Sequence, residues 1–258
     1  MSKIILTLST IIISLFSFGQ VVENREVADF SKLKVSNSID VYYTISSTKS
    51  LKIETDDEKN LQFIKTETVG ETLKIYIETD SYNQKGKNKN WKNKLSFKTL
   101  KVIISGPNLD EIKASSSSVV KILNINESKK LFLTVSSSAT IKGNFESDVV
   151  TLDTSSSGTF SGEITAKEIA IETSSSSSVS IEGKAKNVVV KASSSGDCNL
   201  KDLKTENATA TASSSASISV YASNSINAKA SSSGSISFYG NPSNISKEKS
   251  SGGSVIQK

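Results

Sequence analysis

Serine becomes a nucleophile only when a neighbouring base takes its proton, and this chain repeats its serines at a fixed spacing. Ser-Ser-Ser begins at Ser115, Ser136, Ser155, Ser174, Ser193, Ser213 and Ser231, and Ser250-Ser251-Gly252 closes the series. The 258-residue sequence holds no His. A His-Asp-Ser triad and every His-containing metal site are therefore excluded. A Ser-Lys pair is chemically conceivable, yet so many equivalent triplets argue against one special nucleophile. The hydroxyls read first as structure, and second as a repetitive binding face. Ice-binding solenoids present such ladders from Thr, which is sparse at the outward positions here.

Three other features bear chemistry. Between Lys85 and Lys98 runs KGKNKNWKNKLSFK, in which Lys87, Lys89, Lys92 and Lys94 surround Trp91, the only Trp. An indole stacked on a sugar, with lysines neutralising a carboxylate or phosphate, would hold an anionic glycan. The plainer reading is an exposed connection whose lysines keep a strand edge from aggregating. Asp56-Asp57-Glu58 is the densest acidic run. A polysaccharide lyase on a β-helix needs clustered carboxylates for calcium and a basic proton acceptor. This run stands alone and reads as a solvated turn. Cys198 is the single Cys, so no internal disulfide exists. No cofactor is expected.

The spacing of the triplets, 18 to 21 residues, predicts that each copy is one coil of a β-solenoid. A two-residue alternation runs through every copy, the strand signal. Val188, Val190, Ala192, Ser194, Gly196, Cys198 and Leu200 share one parity, and Lys, Asp, Glu, Thr and Ser occupy the other. Carried through the serines, this parity puts the middle residues inside as a buried structural turn ladder: Ser116, Ser137, Ser156, Ser175, Ser194, Ser214, Ser232 and Ser251. Flanking serines such as Ser193 and Ser195 would stay exposed. Gly158, Gly196, Gly234 and Gly253 then support a tight bend. Gly143, Gly162, Gly183 and Gly240 mark the turn into the next coil, giving two short strands and two corners per coil. Cys198 falls in the inward column of Ile141, Phe160, Val179 and Ile218, as a buried, inert thiol.

The ends divide the chain. Residues 1–19 read as a Sec-type signal peptide: Lys3, an apolar stretch from Ile4 to Phe18, then Ser17-Phe18-Gly19 before the cleavage point. About 15 apolar residues fall short of the roughly 20 that a membrane span requires. Residues 20–113 read as β-rich, irregular first coils that cap the solenoid, with Ser36-Asn37-Ser38 as a worn copy of the repeat. Residues 114–258 are the Ser-Ser-Ser solenoid. A net charge of +5 is too mild to indicate nucleic acid.

Together these features resemble the auto-transporter adhesin head GIN domain family of exported Bacteroidetes proteins, over roughly residues 25 to 258. Ser136-Ser137-Ser138, Ser155-Ser156-Ser157 and Ser193-Ser194-Ser195 stand where that family repeats a Gly-Ser-Gly-like turn. Val102 to Ile112, VIISGPNLDEI, resembles its strand-Pro-x-Leu-x-x-Ile entry to the first turn. The resemblance implies an all-β, pectin-lyase-like β-helix that acts in adhesion, without catalytic residues to carry over. The expected function is an exported, non-enzymatic binding module, at the periplasm, outer surface or outside the cell. Its partners would be glycans or surface proteins, with no membrane span in the mature chain and oligomerisation left open. The alternatives are a carbohydrate-active enzyme on the same fold, marked by ionisable residues converging on one coil face, and a structural scaffold of the cell envelope.

Overall fold

Alternating apolar residues on a 19-residue period can all be buried only if the chain winds into stacked coils, and it does. The computed structural model describes residues 21–78 and 97–258. Strands dominate, and the one helix among the described residues is a 3-10 turn at Glu58–Phe63. The capping strands are β1 (Val21–Arg25), β2 (Lys32–Val35), β3 (Asp40–Ile45), β4 (Ser50–Thr55), β5 (Ile64–Val69), β6 (Thr72–Ile77) and β7 (Leu100–Gly106). The solenoid continues with β8 (Glu111–Ala114), β9 (Val119–Ile122), β10 (Asn126–Val135), β11 (Thr140–Thr154), β12 (Thr159–Thr173) and β13 (Ser178–Ala192). It ends with β14 (Asp197–Leu200), β15 (Leu203–Ala212), β16 (Ser217–Tyr221), β17 (Ser225–Ala230), β18 (Ser235–Tyr239), β19 (Asn244–Lys249) and β20 (Ser254–Gln257).

From β8 onward every pairing is parallel and each residue sits over its counterpart one coil away. Ile141, Phe160, Val179, Cys198 and Ile218 form one such buried column. Burial pushes the Cys198 thiol far above its ordinary pKa, so it stays protonated and unreactive. The coil boundaries differ from expectation. Gly143, Gly162 and Gly183 lie inside the strands β11, β12 and β13, each 15 residues long, rather than between strands. A further corner falls where the ladder skips Asp148, Lys167 and Lys186. There the inward parity slips by one residue, from Phe145 to Val150 and from Ile164 to Ile169.

The serine turns require a correction. The middle serines, Ser116, Ser137, Ser156, Ser175, Ser194, Ser214, Ser232 and Ser251, are exposed, not buried. In Ser193–Gly196 the backbone turns back on itself: Ser194 has φ 48° and Ser195 φ 61°, and the Gly196 N–H donates to the Ser193 carbonyl at 2.9 Å. Two successive left-handed residues are the φ signature of a type I′ turn. Such a turn throws both central side chains outward and delivers the fourth residue inward. Gly196 and its equivalents Ser118, Ala139, Gly158, Ser177, Ala216 and Gly234 are buried. None of these glycines has positive φ; they are small because the preceding coil is close. The turns stack: the Ser195 N–H donates to the Ser214 carbonyl at 3.0 Å, and the Ser176 N–H to that of Ser194 at 3.1 Å. Among the buried hydroxyls, those of Thr154, Thr173 and Ser177 bond one another at 2.7–3.2 Å. A left-handed residue other than Gly costs roughly 1–2 kcal/mol, more if β-branched. Urea denaturation is therefore expected to show Ser194→Gly at least as stable as wild type. Ser194→Val should be less stable by about 1–2 kcal/mol despite its exposure. A Val variant of wild-type stability would refute the turn geometry.

The capping region winds out of sequence order. β2 lies between β6 and β8, parallel to both, and β3 between β7 and β9. The coil made by residues 31–45 is thus inserted between one made by β6 and β7 and the first serine coil. Asn37 (φ 66°) and Ser38 (φ 56°) form its turn, and the Ser38 N–H donates to the Ser116 carbonyl at 2.8 Å. Antiparallel β4 covers the outer edge of β7, β1 that of β4, and β5 that of β6. The return to the serine coils is held by buried Asn126, whose amide bonds both the N–H and the carbonyl of Leu109, at 2.6 and 2.9 Å.

Candidate functional site

On the strand that precedes each serine turn, outward side chains fall into three columns. The column nearest the turn is charged: Lys113, Thr134, Asp153, Glu172, Lys191, Thr211, Lys229 and Glu248. The middle one starts at Glu111 and runs Phe132, Thr151, Ala170, Val189, Thr209, Asn227 and Ser246, uncharged from Phe132 onward. The third carries Glu168, Asn187, Asn207, Ser225 and Asn244. Four shallow depressions lie on this one face. They measure about 320 Å³ around Phe132, 450 Å³ beside Glu172 and 560 Å³ at Lys229. The fourth, about 600 Å³, lies between Asn187 and Ser246. They make an open trough along the solenoid axis.

The trough's charges are compensated. Lys191 pairs with Glu172 and Lys229 with Glu248, each at 3.0 Å. Burial, then the neighbouring Glu172 carboxylate, raises the Asp153 pKa above its ordinary value. Ionisable residues do converge here on one coil face, where the sequence had spread them along many coils. Glu172 is 65% exposed and tied to a lysine, which is not the desolvated setting that raises the pKa of a catalytic acid. Phe132 (49% exposed) and Val189 (43%) stand uncovered in the middle column. The apolar residues of an otherwise polar outward parity were the sequence signal for this face.

The other candidates lie elsewhere. Trp91, Lys87, Lys89, Lys92 and Lys94 fall outside the described residues, as do residues 1–19, the expected signal peptide. Asp57 caps the 3-10 turn by accepting from the Lys59 N–H at 2.9 Å, and Asp56 accepts from the Lys98 N–H at 3.1 Å. These carboxylates satisfy backbone, as a solvated turn would. No group of His, Cys, Asp and Glu able to hold a metal occurs among the described residues. No described helix is long and apolar enough to cross a membrane.

Fold and surface together define a parallel β-solenoid with an extended lateral trough. Residues 29–242 match the family described as "Putative auto-transporter adhesin, head GIN domain", and the chain belongs to that family. Among solved structures it resembles a "putative adhesin" of Parabacteroides distasonis (TM-score 0.83, 17% identity), covering 94% of this chain and 98% of the other. A "putative lipid binding protein" of the same species gives TM-score 0.81 at 21% identity, with the same coverage. An adhesin of Parabacteroides merdae, also titled putative, gives 0.80 at 16%, covering 94% and 97%. At these identities the likeness is one of fold. No curated protein matches the chain by sequence.

Proposed function

We propose that this protein is an exported, non-enzymatic, adhesin-type binding module that holds cell-surface glycans in the trough before the serine turns. The row of depressions along one face carries this reading. An elongated ligand can lie across many coils there, and repeat proteins present such extended surfaces to their partners. Membership of the adhesin family supports a role at the surface, and the signal-like residues 1–19 support export. The uncovered Phe132 and Val189 supply the apolar contact that sugar rings make with side chains.

The reading is tested by probing a glycan array and lipid vesicles with residues 20–258, as wild type and as Val189→Arg. Glycan signals are expected from the wild type and about tenfold weaker binding from the variant, a loss of roughly 1.4 kcal/mol. Binding to vesicles alone, or glycan binding indifferent to Val189→Arg, would overturn it.

A further inference from the structure

We infer that the trough's ligand is a neutral, unbranched polysaccharide lying along the solenoid axis, with one sugar over each coil from Asn187 to Asn244. This rests on the proposed glycan-binding role and adds the chemical class, the direction and the contacts. The first support is an amide ladder. The Asn187 side-chain N–H donates to Glu168 at 3.0 Å, and Asn207 donates to the Asn187 carbonyl oxygen at 2.9 Å. Asn224 and Ser225 both donate to the Asn207 carbonyl oxygen at 2.8 Å. Each amide has two N–H donors and two acceptor lone pairs. The ladder uses one N–H of Asn187 and one of Asn207. Their second N–H groups are therefore left for a ligand, on side chains already oriented by the first.

The second support is period. Successive coils are about 4.8 Å apart, close to the length of one pyranose in an extended, equatorially linked chain. A straight glycan keeps step with the coils and meets a polar side chain at each, Asn187, Asn207, Ser225 and Asn244 in turn. The third is charge: no residue lining the 600 Å³ depression is ionisable, and the lysines of the neighbouring column pair with carboxylates. An acidic polymer finds no uncompensated cation there. A lipid chain fits poorly as well, because Thr209, Asn227 and Ser246 make the floor polar and the depression is open. Val189 offers apolar contact to the C–H face of the rings.

The test is a panel of linear polysaccharides, neutral and acidic, with oligosaccharides of graded length from each polymer that binds. Residues 20–258 are used as wild type, Asn187→Ala/Asn207→Ala and Val189→Arg, each checked for an unchanged melting midpoint. Neutral polymers are expected to bind, with affinity rising with length until the chain spans the coils of Asn187 and Asn244. The double amide variant should lose about tenfold or more in affinity, and the Val189 variant a similar factor. If acidic polymers bind and Val189→Arg abolishes it, the inferred class is wrong while the trough remains the site. Neutral binding untouched by the amide variant overturns the ladder's role. Binding untouched by Val189→Arg overturns the site itself, and a panel without any binder overturns the inference.

Discussion

Replacing Lys247 by valine and Lys249 by alanine is expected to make the protein associate end to end. Two core columns run the length of the solenoid and end on these lysines. One passes Ile112, Leu133, Leu152, Ile171, Val190, Ala210 and Ala228 to Lys247. The other passes Ala114, Val135, Thr154, Thr173, Ala192, Ala212 and Ala230 to Lys249. In the last coil these two inward positions are thus ammonium groups, and Lys247 Nζ lies 4.8 Å from the centre of the Phe238 ring. The outer edge of β19 has no partner strand among the described residues, since β19 pairs with β17 alone. An open edge of this kind is a template for another chain, and inward-pointing charge is one way natural sheets block it. Docking a second sheet here would desolvate both lysines, at several kcal/mol per ion. At the opposite end β1 and β4 lie antiparallel beyond β7, and β5 beyond β6. Sedimentation velocity over a range of concentrations should show the double variant forming larger species than wild type. Equal masses at every concentration would mean that the lysines do not guard the end.

The solenoid was legible because its period and strand alternation both come from local residue types. The column of Ile141, Phe160, Val179, Cys198 and Ile218 could be written down before any coordinates and is the observed register. Alternation failed at the serines because it assumes extended backbone throughout. Two left-handed residues break that assumption yet restore the parity one step later, so Ala192 and Gly196 are both inward with Ser194 outside between them. The available signal was the family's Gly at the third position, here Ser195 with φ 61°, which marks positive φ rather than lack of space. The insertion of the coil at residues 31–45 between later coils has no local signature, since the pairing of Val41 with both Val102 and Val120 is set by long-range packing. The trough was legible only in part. That Val189 and Asn207 point outward follows from parity, but their neighbours across coils require the register.

Gly162→Ala is expected to be among the most damaging single changes in the molecule, and Gly158→Ala, four residues earlier, to be mild. Gly162 sits over Gly143 in the ladder, within the bend of β12. A methyl group on it would meet the Gly143 carbonyl oxygen at 1.8 Å and its carbon at 3.0 Å. Both obstacles are backbone, so relief requires moving one strand away from the other and stretching ladder hydrogen bonds on either side. Overpacking of this kind costs typically 1–3 kcal/mol and occasionally more, and the rigidity of the obstacle puts Gly162→Ala at the top of that range, about 3 kcal/mol. The equivalent position in the next coil is Ile181, buried, so the restriction belongs to this crossing and not to every coil. Gly158 also faces backbone, the Val135 carbonyl oxygen at 2.6 Å. Yet Ala139 and Ala216 fill the same place after the turn in other coils and are fully buried there. A shift of a few tenths of an ångström therefore accommodates a methyl group, and Gly158→Ala should cost under about 1 kcal/mol. Urea midpoints of the two variants decide the matter. If Gly158→Ala proves the more damaging, the close approach has been placed at the wrong corner of the coil.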